Sequence, residues 1–217
     1  MVTRAKICGI TTPEALDAAI AGGAEYIGLV FFAKSPRHLD IAKAKGLAER
    51  ARGKAKIVAL TVDADDATLS EIVDEVAPDI LQLHGKEAPD RVAAIKQQFG
   101  REVIKAIAVA TADDAAQARG YAGIADLILF DAKAPPGAPL PGGNGRTFDW
   151  HALDGVAEAL PFMLSGGLGP NNVADAIALT HPLAVDVSSG VESAPGIKDP
   201  EQIRRFLLAV KAAKQAG

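Results

Sequence analysis

Ala5-Lys6-Ile7-Cys8-Gly9-Ile10-Thr11-Thr12-Pro13-Glu14 is the stretch that decides the fold. A short apolar run ends on a cysteine, Gly9 permits a tight turn, and Thr12-Pro13-Glu14 opens a helix with a capping hydroxyl and a proline in the first turn. This is a strand running directly into a helix. An open, doubly wound sheet that binds dinucleotides carries a glycine-rich fingerprint at this first turn. Cys8-Gly9-Ile10-Thr11 lacks it, which turns the reading toward a closed barrel.

The same strand-helix grammar continues outward along the chain. Apolar runs recur at Tyr26 to Phe31, Ile57 to Val62, Ile80 to Leu83, Val103 to Ile107, Leu127 to Phe130, Phe162 to Leu164 and Ala184 to Val187. Amphipathic segments lie between them, with helix starts marked by Asp65 or Asp66 before Ala67-Thr68-Leu69 and by Thr111 before Ala112-Asp113-Asp114. A βα unit repeated about eight times implies a parallel sheet with helical crossovers. Eight such units in a chain of 217 residues predict an α/β protein whose residues 1–217 form a single (β/α)8 TIM barrel, one catalytic domain.

Composition narrows the function. The formal net charge is -4 and the basic residues are scattered, so there is no basic footprint for nucleic acid. The start Met1-Val2-Thr3-Arg4 has no signal-peptide pattern, and no apolar run approaches the ~18 residues of a membrane span. A cytoplasmic protein is expected, without membrane or nucleic-acid partners. The single cysteine excludes an intramolecular disulfide.

Two connections break the regular spacing: Ala33-Lys34-Ser35-Pro36-Arg37-His38 after the second strand, and the long stretch from Ala132 to Thr147 after the sixth. In a barrel, loops following strands lie at the catalytic face. The segment Pro135-Pro136-Gly137-Ala138-Pro139 reads as a surface excursion. Glycine-bearing turns follow strands seven and eight, at Ser165-Gly166-Gly167-Leu168 and Ser188-Ser189-Gly190-Val191. One such turn is only a turn. Two at these positions in a barrel predict a phosphate site, because glycines let backbone N–H groups converge on an anion. The expected ligand is a phosphorylated small molecule.

The period-two rule places Cys8, His84, Asp131 and Asp186 or Ser188 inward at the strand tops, with Arg37 reaching in from the second loop. A lone cysteine in an apolar strand is as often a small buried hydrophobe. The carboxylate of Asp131, ending another apolar strand, shifts the balance toward chemistry. None of His38, His84, His151 and His181 pairs with another at a helical metal spacing, and no second thiol exists, so no metal is expected. A lone thiol and a lone carboxylate on different strands suit a base and an acid acting on opposite sides of a small substrate. Lys6, on the same face as Cys8, would either form a buried ion pair with Asp186 or favour the thiolate.

Lys6-Ile7-Cys8-Gly9-Ile10-Thr11, Ser35-Pro36-Arg37, Gln82-Leu83-His84-Gly85, Phe130-Asp131, Gly142-Gly143-Asn144-Gly145, Phe148-Asp149-Trp150, Ser165-Gly166-Gly167-Leu168 and Val185-Asp186-Val187-Ser188-Ser189-Gly190-Val191-Glu192 stand in this order. Together they resemble the phosphoribosylanthranilate isomerases of tryptophan biosynthesis, from end to end. The resemblance implies a barrel without cofactor or metal, occurring as monomer or homodimer. The implied reaction is an Amadori rearrangement of N-(5-phosphoribosyl)anthranilate to 1-(2-carboxyphenylamino)-1-deoxyribulose 5-phosphate. It assigns the general base to Cys8 and the general acid to Asp131, and the anthranilate carboxylate to Arg37. His84 and Asp186 are expected to bind substrate, and Gly143, Gly145, Gly166, Gly167, Ser189 and Gly190 the phosphate. Arg37 is expected to lie far from those glycine loops.

Two positions depart from the family pattern: Thr61, where an aromatic is usual, and Asn144, where Thr or Ser is common. The nearest rival is the histidine-pathway isomerase that performs the same rearrangement. It typically has an aspartate where this chain has Cys8, and its substrate carries two phosphates. A non-catalytic phosphosugar-binding barrel is the other alternative, but it would need neither Cys8 nor Asp131.

Overall fold

In a computed structural model of the chain, the described residues are 3–135, 137–138, 140, 142–143, 145–156 and 160–213. The readings that involve Met1, Val2, Pro136, Pro139 and Asn144 lie outside them. Eight parallel strands close into a barrel in sequence order: β1 (Arg4–Cys8), β2 (Tyr26–Phe31), β3 (Lys56–Thr61), β4 (Ile80–Leu83), β5 (Glu102–Val109), β6 (Leu127–Ala132), β7 (Phe162–Leu164) and β8 (Ala184–Val187). Closure is made by β1 against β8, with Lys6 opposite Asp186, while on its other side β1 sets Cys8 opposite Gly28.

The strands are buried on both faces, which is why they read as continuous apolar runs. One face fills the barrel interior with Tyr26, Val58, Ile80, Ile104, Leu129 and Met163. The interior is therefore packed rather than a pore. The other face, including Ile7, Ile27, Ile57, Phe130 and Val185, packs on the helices. Each fully buried aliphatic side chain contributes about 1.5–3 kcal/mol relative to an exposed one.

The helices are α1 (Pro13–Gly22), α2 (Ile41–Ala51), α3 (Asp66–Val76), α4 (Pro89–Phe99), α5 (Ala112–Ala116), α6 (Val173–Thr180) and α7 (Pro200–Ala212). Their starts are fixed by side chains that accept from otherwise unpartnered backbone N–H groups: Thr12, Asp40, Asp65, Thr111 and Asp199. Between the two candidates for the α3 cap, Asp65 is the residue used. At α5 the cap is reciprocal, Thr111 bonding Asp114 N while the Asp114 carboxylate accepts from Thr111 N.

The regular βα repeat fails once. After β6 the described residues hold no α-helix, only one 3-10 turn at Trp150–Leu153. That connection is rich in Pro and Gly and lacks a sustained 3.6-residue apolar period. A second departure follows β8. The chain makes a 3-10 turn at Ser189–Val191 and then a two-stranded hairpin, β9 (Glu192–Ala194) and β10 (Ile197–Lys198), before α7. Thr61 is fully buried, and its hydroxyl has no partner among the described residues. No described helix is long and apolar enough to cross a membrane.

Candidate active site

The tops of the strands surround an open cleft. Cys8, Arg37, His84, Asp131, Asp186 and Ser189 all line it. The residues expected to carry chemistry therefore converge although they come from five different segments of the chain.

Cys8 ends β1 and is 4% exposed, packed with Val30 and Leu60 on an apolar wall of the cleft. Burial in that wall pushes the thiol up. Lys6 pulls against it, Asp186 adds to it and Lys198 opposes it, with burial prevailing. Lys6 is fully buried behind Cys8 and pairs with Asp186 Oδ1 at 2.9 Å. Burial alone would lower the Lys6 ammonium, but Asp186 and then Cys8 outweigh it and raise it. Lys6 is thus ion-paired with Asp186, one of the two roles expected of it, and its charge also favours the thiolate without overcoming burial. Asp186 is held on its other oxygen by Ser165 Oγ at 3.2 Å.

Asp131 ends the apolar run of β6 and stands across the mouth from Cys8, with β7 and β8 between them in the ring. Its Oδ1 accepts from Ala132 N at 2.9 Å, and its Oδ2 lies 3.2 Å from His84 Nε2. On the far side of the ring, His84 Nδ1 is 3.0 Å from the Gln82 amide nitrogen. If that amide donates, the imidazole proton sits on Nε2 and faces Asp131. Gly142 passes over this pair so closely that a Cβ there would fall on the Asp131 carboxylate and the His84 ring. Only glycine fits.

Arg37 departs from expectation. Its guanidinium gives Nε and Nη2 to the two oxygens of Glu192 at 2.7 and 2.8 Å, with both side chains buried. That edge of the fork is committed within the protein. Nor is Arg37 remote from the glycine loops, since a Cβ on Gly143 would lie 2.9 Å from its Nη1. Glu192 follows directly on the Ser188-Ser189-Gly190-Val191 turn, which is how the second loop and the eighth are drawn together.

Four of the residues expected at the phosphate, Gly143, Gly166, Gly167 and Ser189, line the same cleft. Gly145 lies near the Ser189 hydroxyl, and Gly190 does not line the cleft at all. Gly190 has a packing reason instead: a Cβ there would fall on the Leu168 carbonyl, so it lets the turns after β7 and β8 meet.

Three residues at the site were not singled out from the sequence. Gln82 had a signal, since it precedes His84 by two residues and so shares its face. Glu192 ends one of the motifs that carry the resemblance but was given no role there, and Lys198 had no signal, because it belongs to the hairpin outside the βα repeat. Lys198 pairs with Glu192 and donates to the Ser188 carbonyl at 3.0 Å and the Ser188 hydroxyl at 3.3 Å.

With this geometry established, similarity to known proteins is extensive. Residues 5–209 match the family model for "N-(5'phosphoribosyl)anthranilate (PRA) isomerase". The N-(5'-phosphoribosyl)anthranilate isomerase of Rhodopseudomonas palustris (strain BisA53) is 57% identical over 210 residues, covering 97% of this chain and 96% of that protein. The crystal structure of phosphoribosyl anthranilate isomerase from Thermotoga maritima superposes with a TM-score of 0.87 at 34% identity, covering 96% of this chain and 98% of the other. A structure of phosphoribosyl anthranilate isomerase in complex with reduced 1-(o-carboxyphenylamino)-1-deoxyribulose 5-phosphate superposes with a TM-score of 0.85 at 32% identity, over 96% of this chain and 98% of that one.

Proposed function

This chain belongs to the N-(5'-phosphoribosyl)anthranilate isomerase family of tryptophan biosynthesis, and from that premise we propose that Cys8 and Asp131 are its base and acid. The enzyme is an isomerase acting on a phosphorylated aminoaldose. The observation that carries the assignment is the placement of a thiol and a carboxyl on β1 and β6, facing one cleft whose third side is formed by the glycine turns after β7 and β8.

The rearrangement uses these groups in sequence. Asp131, protonated, gives its proton to the furanose ring oxygen, the C1–O bond breaks, and the nitrogen lone pair forms the protonated Schiff base. The Cys8 thiolate then takes the proton from C2, and the electron pair moves toward the iminium to give an enolamine. Tautomerisation returns a proton to C1 and leaves the ketone at C2. His84 holds Asp131 in place, and after proton transfer its Nε2–H can donate to the new carboxylate. Arg37 meets the anthranilate carboxylate through the part of its guanidinium turned to Gly143, because Glu192 occupies the other edge. Gly166, Gly167 and Ser189 take the phosphate, with Gly143 and Gly145 closing over the substrate. Asp186, tied to Lys6 and Ser165, orders the floor beneath the sugar. No cofactor or metal is required by this chemistry, and one barrel, whether alone or in a homodimer, holds all of these groups.

The test is direct: purified protein is mixed with N-(5-phosphoribosyl)anthranilate and loss of the substrate's fluorescence is followed for wild type, Cys8→Ser and Asp131→Asn. Rapid loss in the wild type and its near absence in both variants support the assignment. Near-wild-type turnover in either variant removes that residue from the mechanism.

A further inference from the structure

Behind the base lies a buried set of charges, one of which, Lys198, has no part in the rearrangement proposed above. Lys6 and Asp186 form one pair at 2.9 Å, and Arg37 and Glu192 form a second, bidentate one. Lys198 is a third cation. Its side chain is 1% exposed, and it shares Glu192 with Arg37 instead of having a carboxylate to itself. Three cations thus face two carboxylates with side chains no more than 7% exposed, and an uncompensated buried charge is costly.

The position of Lys198 places this excess charge next to the thiol. Pairing of β1 with β8 sets Lys6 opposite Asp186 and Ile7 opposite Val187. Cys8 and Ser188 are the next residue on each side and both line the cleft, and it is Ser188 whose carbonyl and hydroxyl hold the Lys198 ammonium. The β9–β10 hairpin exists between the phosphate turn and α7, and its last residue is Lys198. A negative charge on Cys8 closes the balance that the two carboxylates leave open.

We propose that Lys198 is a positioning residue for the base, its ammonium fixed by Glu192 and Ser188 at the top of β8 so that ionisation of Cys8 neutralises the cluster. This rests on Cys8 being the base. Glu192 has the opposite influence, since it satisfies the charge that would otherwise fall to the thiolate. The electrostatic directions agree with the geometry: burial lowers Lys198 and raises Cys8, and each charged form favours the other. The other charged or titratable groups facing Cys8 are Lys6 on its own strand, Asp186 on β8, Arg37 from the second loop, and His84, Asp131 and Arg146 across the cleft. None of these is changed in the test.

Because Cys8 is the only cysteine, alkylation by iodoacetamide reads one thiol. The rate is measured against pH on the full-length, substrate-free protein, and the midpoint, not the plateau, is compared. Lys198→Met is expected to move the midpoint upward by about one pH unit, making alkylation at neutral pH about tenfold slower. Lys198→Arg should recover much of that shift. Glu192→Gln should move the midpoint the other way, downward, which a hairpin that merely props up the loop would not produce. It also keeps the proposal testable should Lys198→Met fail to fold. The acid limb of kcat/KM should follow the alkylation midpoint. Unchanged midpoints in the folded variants, or shifts of the same sign in Lys198→Met and Glu192→Gln, overturn the role of Lys198. Midpoints that move as expected while the acid limb of kcat/KM stays put support the Lys198–Cys8 link and overturn Cys8 as the base.

Discussion

His84 Nε2 lies 3.2 Å from Asp131 Oδ2, and the opposite ring nitrogen is 3.0 Å from the Gln82 amide. The acid is therefore not an isolated carboxyl but one end of a three-residue line running down into the barrel. A general acid gives kcat/KM an alkaline limb as its proton is lost. Asp131→Asn keeps the shape and the contacts with Ala132 N and His84 but has no acidic proton. Turnover should nearly vanish while a product analogue binds within a few-fold of wild type, and any residual activity should lack the alkaline limb. Persistence of the limb in an active variant would point to His84 or Asp186 as the proton donor.

Cys8→Ser removes the thiolate and little volume. A hydroxyl is far less acidic, so turnover should drop by roughly 10²–10⁴, the range of general base catalysis, or by more. Burial raises the thiol above its ordinary value, so only the minority thiolate form acts at neutral pH and wild-type kcat/KM should climb with pH through the Cys8 titration. In the serine variant that acid-side climb should be absent.

Arg37→Ala tests which end of the substrate lies at the second loop. Loss of a charge-assisted contact worth about 1.5–3 kcal/mol should raise KM by roughly 10- to 150-fold. Arg37→Lys should recover little, because one ammonium cannot both pair with the two Glu192 oxygens and present a donor to the ligand. Inhibition by anthranilate-bearing analogues and by inorganic phosphate separates the ends. If phosphate affinity falls and anthranilate affinity does not, the substrate lies the other way round.

The barrel was legible because parallel strands covered on both sides show themselves as unbroken apolar runs, and four of them, β2, β4, β7 and β8, coincide with those runs end for end. Capping residues marked the helix starts for a reason as local as the strands' own. Cys8, His84 and Asp131 were legible as candidates too, since each ends or follows such a run on the inward face, and Asp186 was legible as the one charge inside such a run. What local pattern cannot convey is a contact between distant segments. Arg37 and Glu192 are 155 residues apart, and nothing near either one announces that they share a hydrogen-bonded pair. Lys198 reads as a surface lysine before a helix cap, and only closure of β8 on β1 brings it inside. That the described residues after β6 hold no α-helix was hidden differently: a Pro- and Gly-rich stretch of that length leaves room for a helix, and eight strands in a βα repeat suggest one.

Glu192 gives the last prediction, on stability. Its carboxylate lies between Arg37 and Lys198 with a side chain only 4% exposed. Burial acts to raise it, but the Arg37 hydrogen bonds and Lys198 outweigh that and hold it below the ordinary carboxylate range. A folded-state value below the unfolded one means that the unfolded chain binds the proton more readily. The stabilisation is then complete above the unfolded pKa and is lost as pH falls through the folded one. Glu192→Gln keeps the shape but leaves two buried cations without their carboxylate, a change that typically costs about 3–5 kcal/mol. Against the ~5–15 kcal/mol stability of natural domains, the variant should remain folded at room temperature but melt several degrees lower. Urea unfolding at neutral pH and at pH 3 checks both statements. Wild type should lose more stability than the variant on acidification, so the gap between them should narrow at low pH. An equal gap at both values would mean that Glu192 is protonated in the folded protein or that its partners do not depend on its charge.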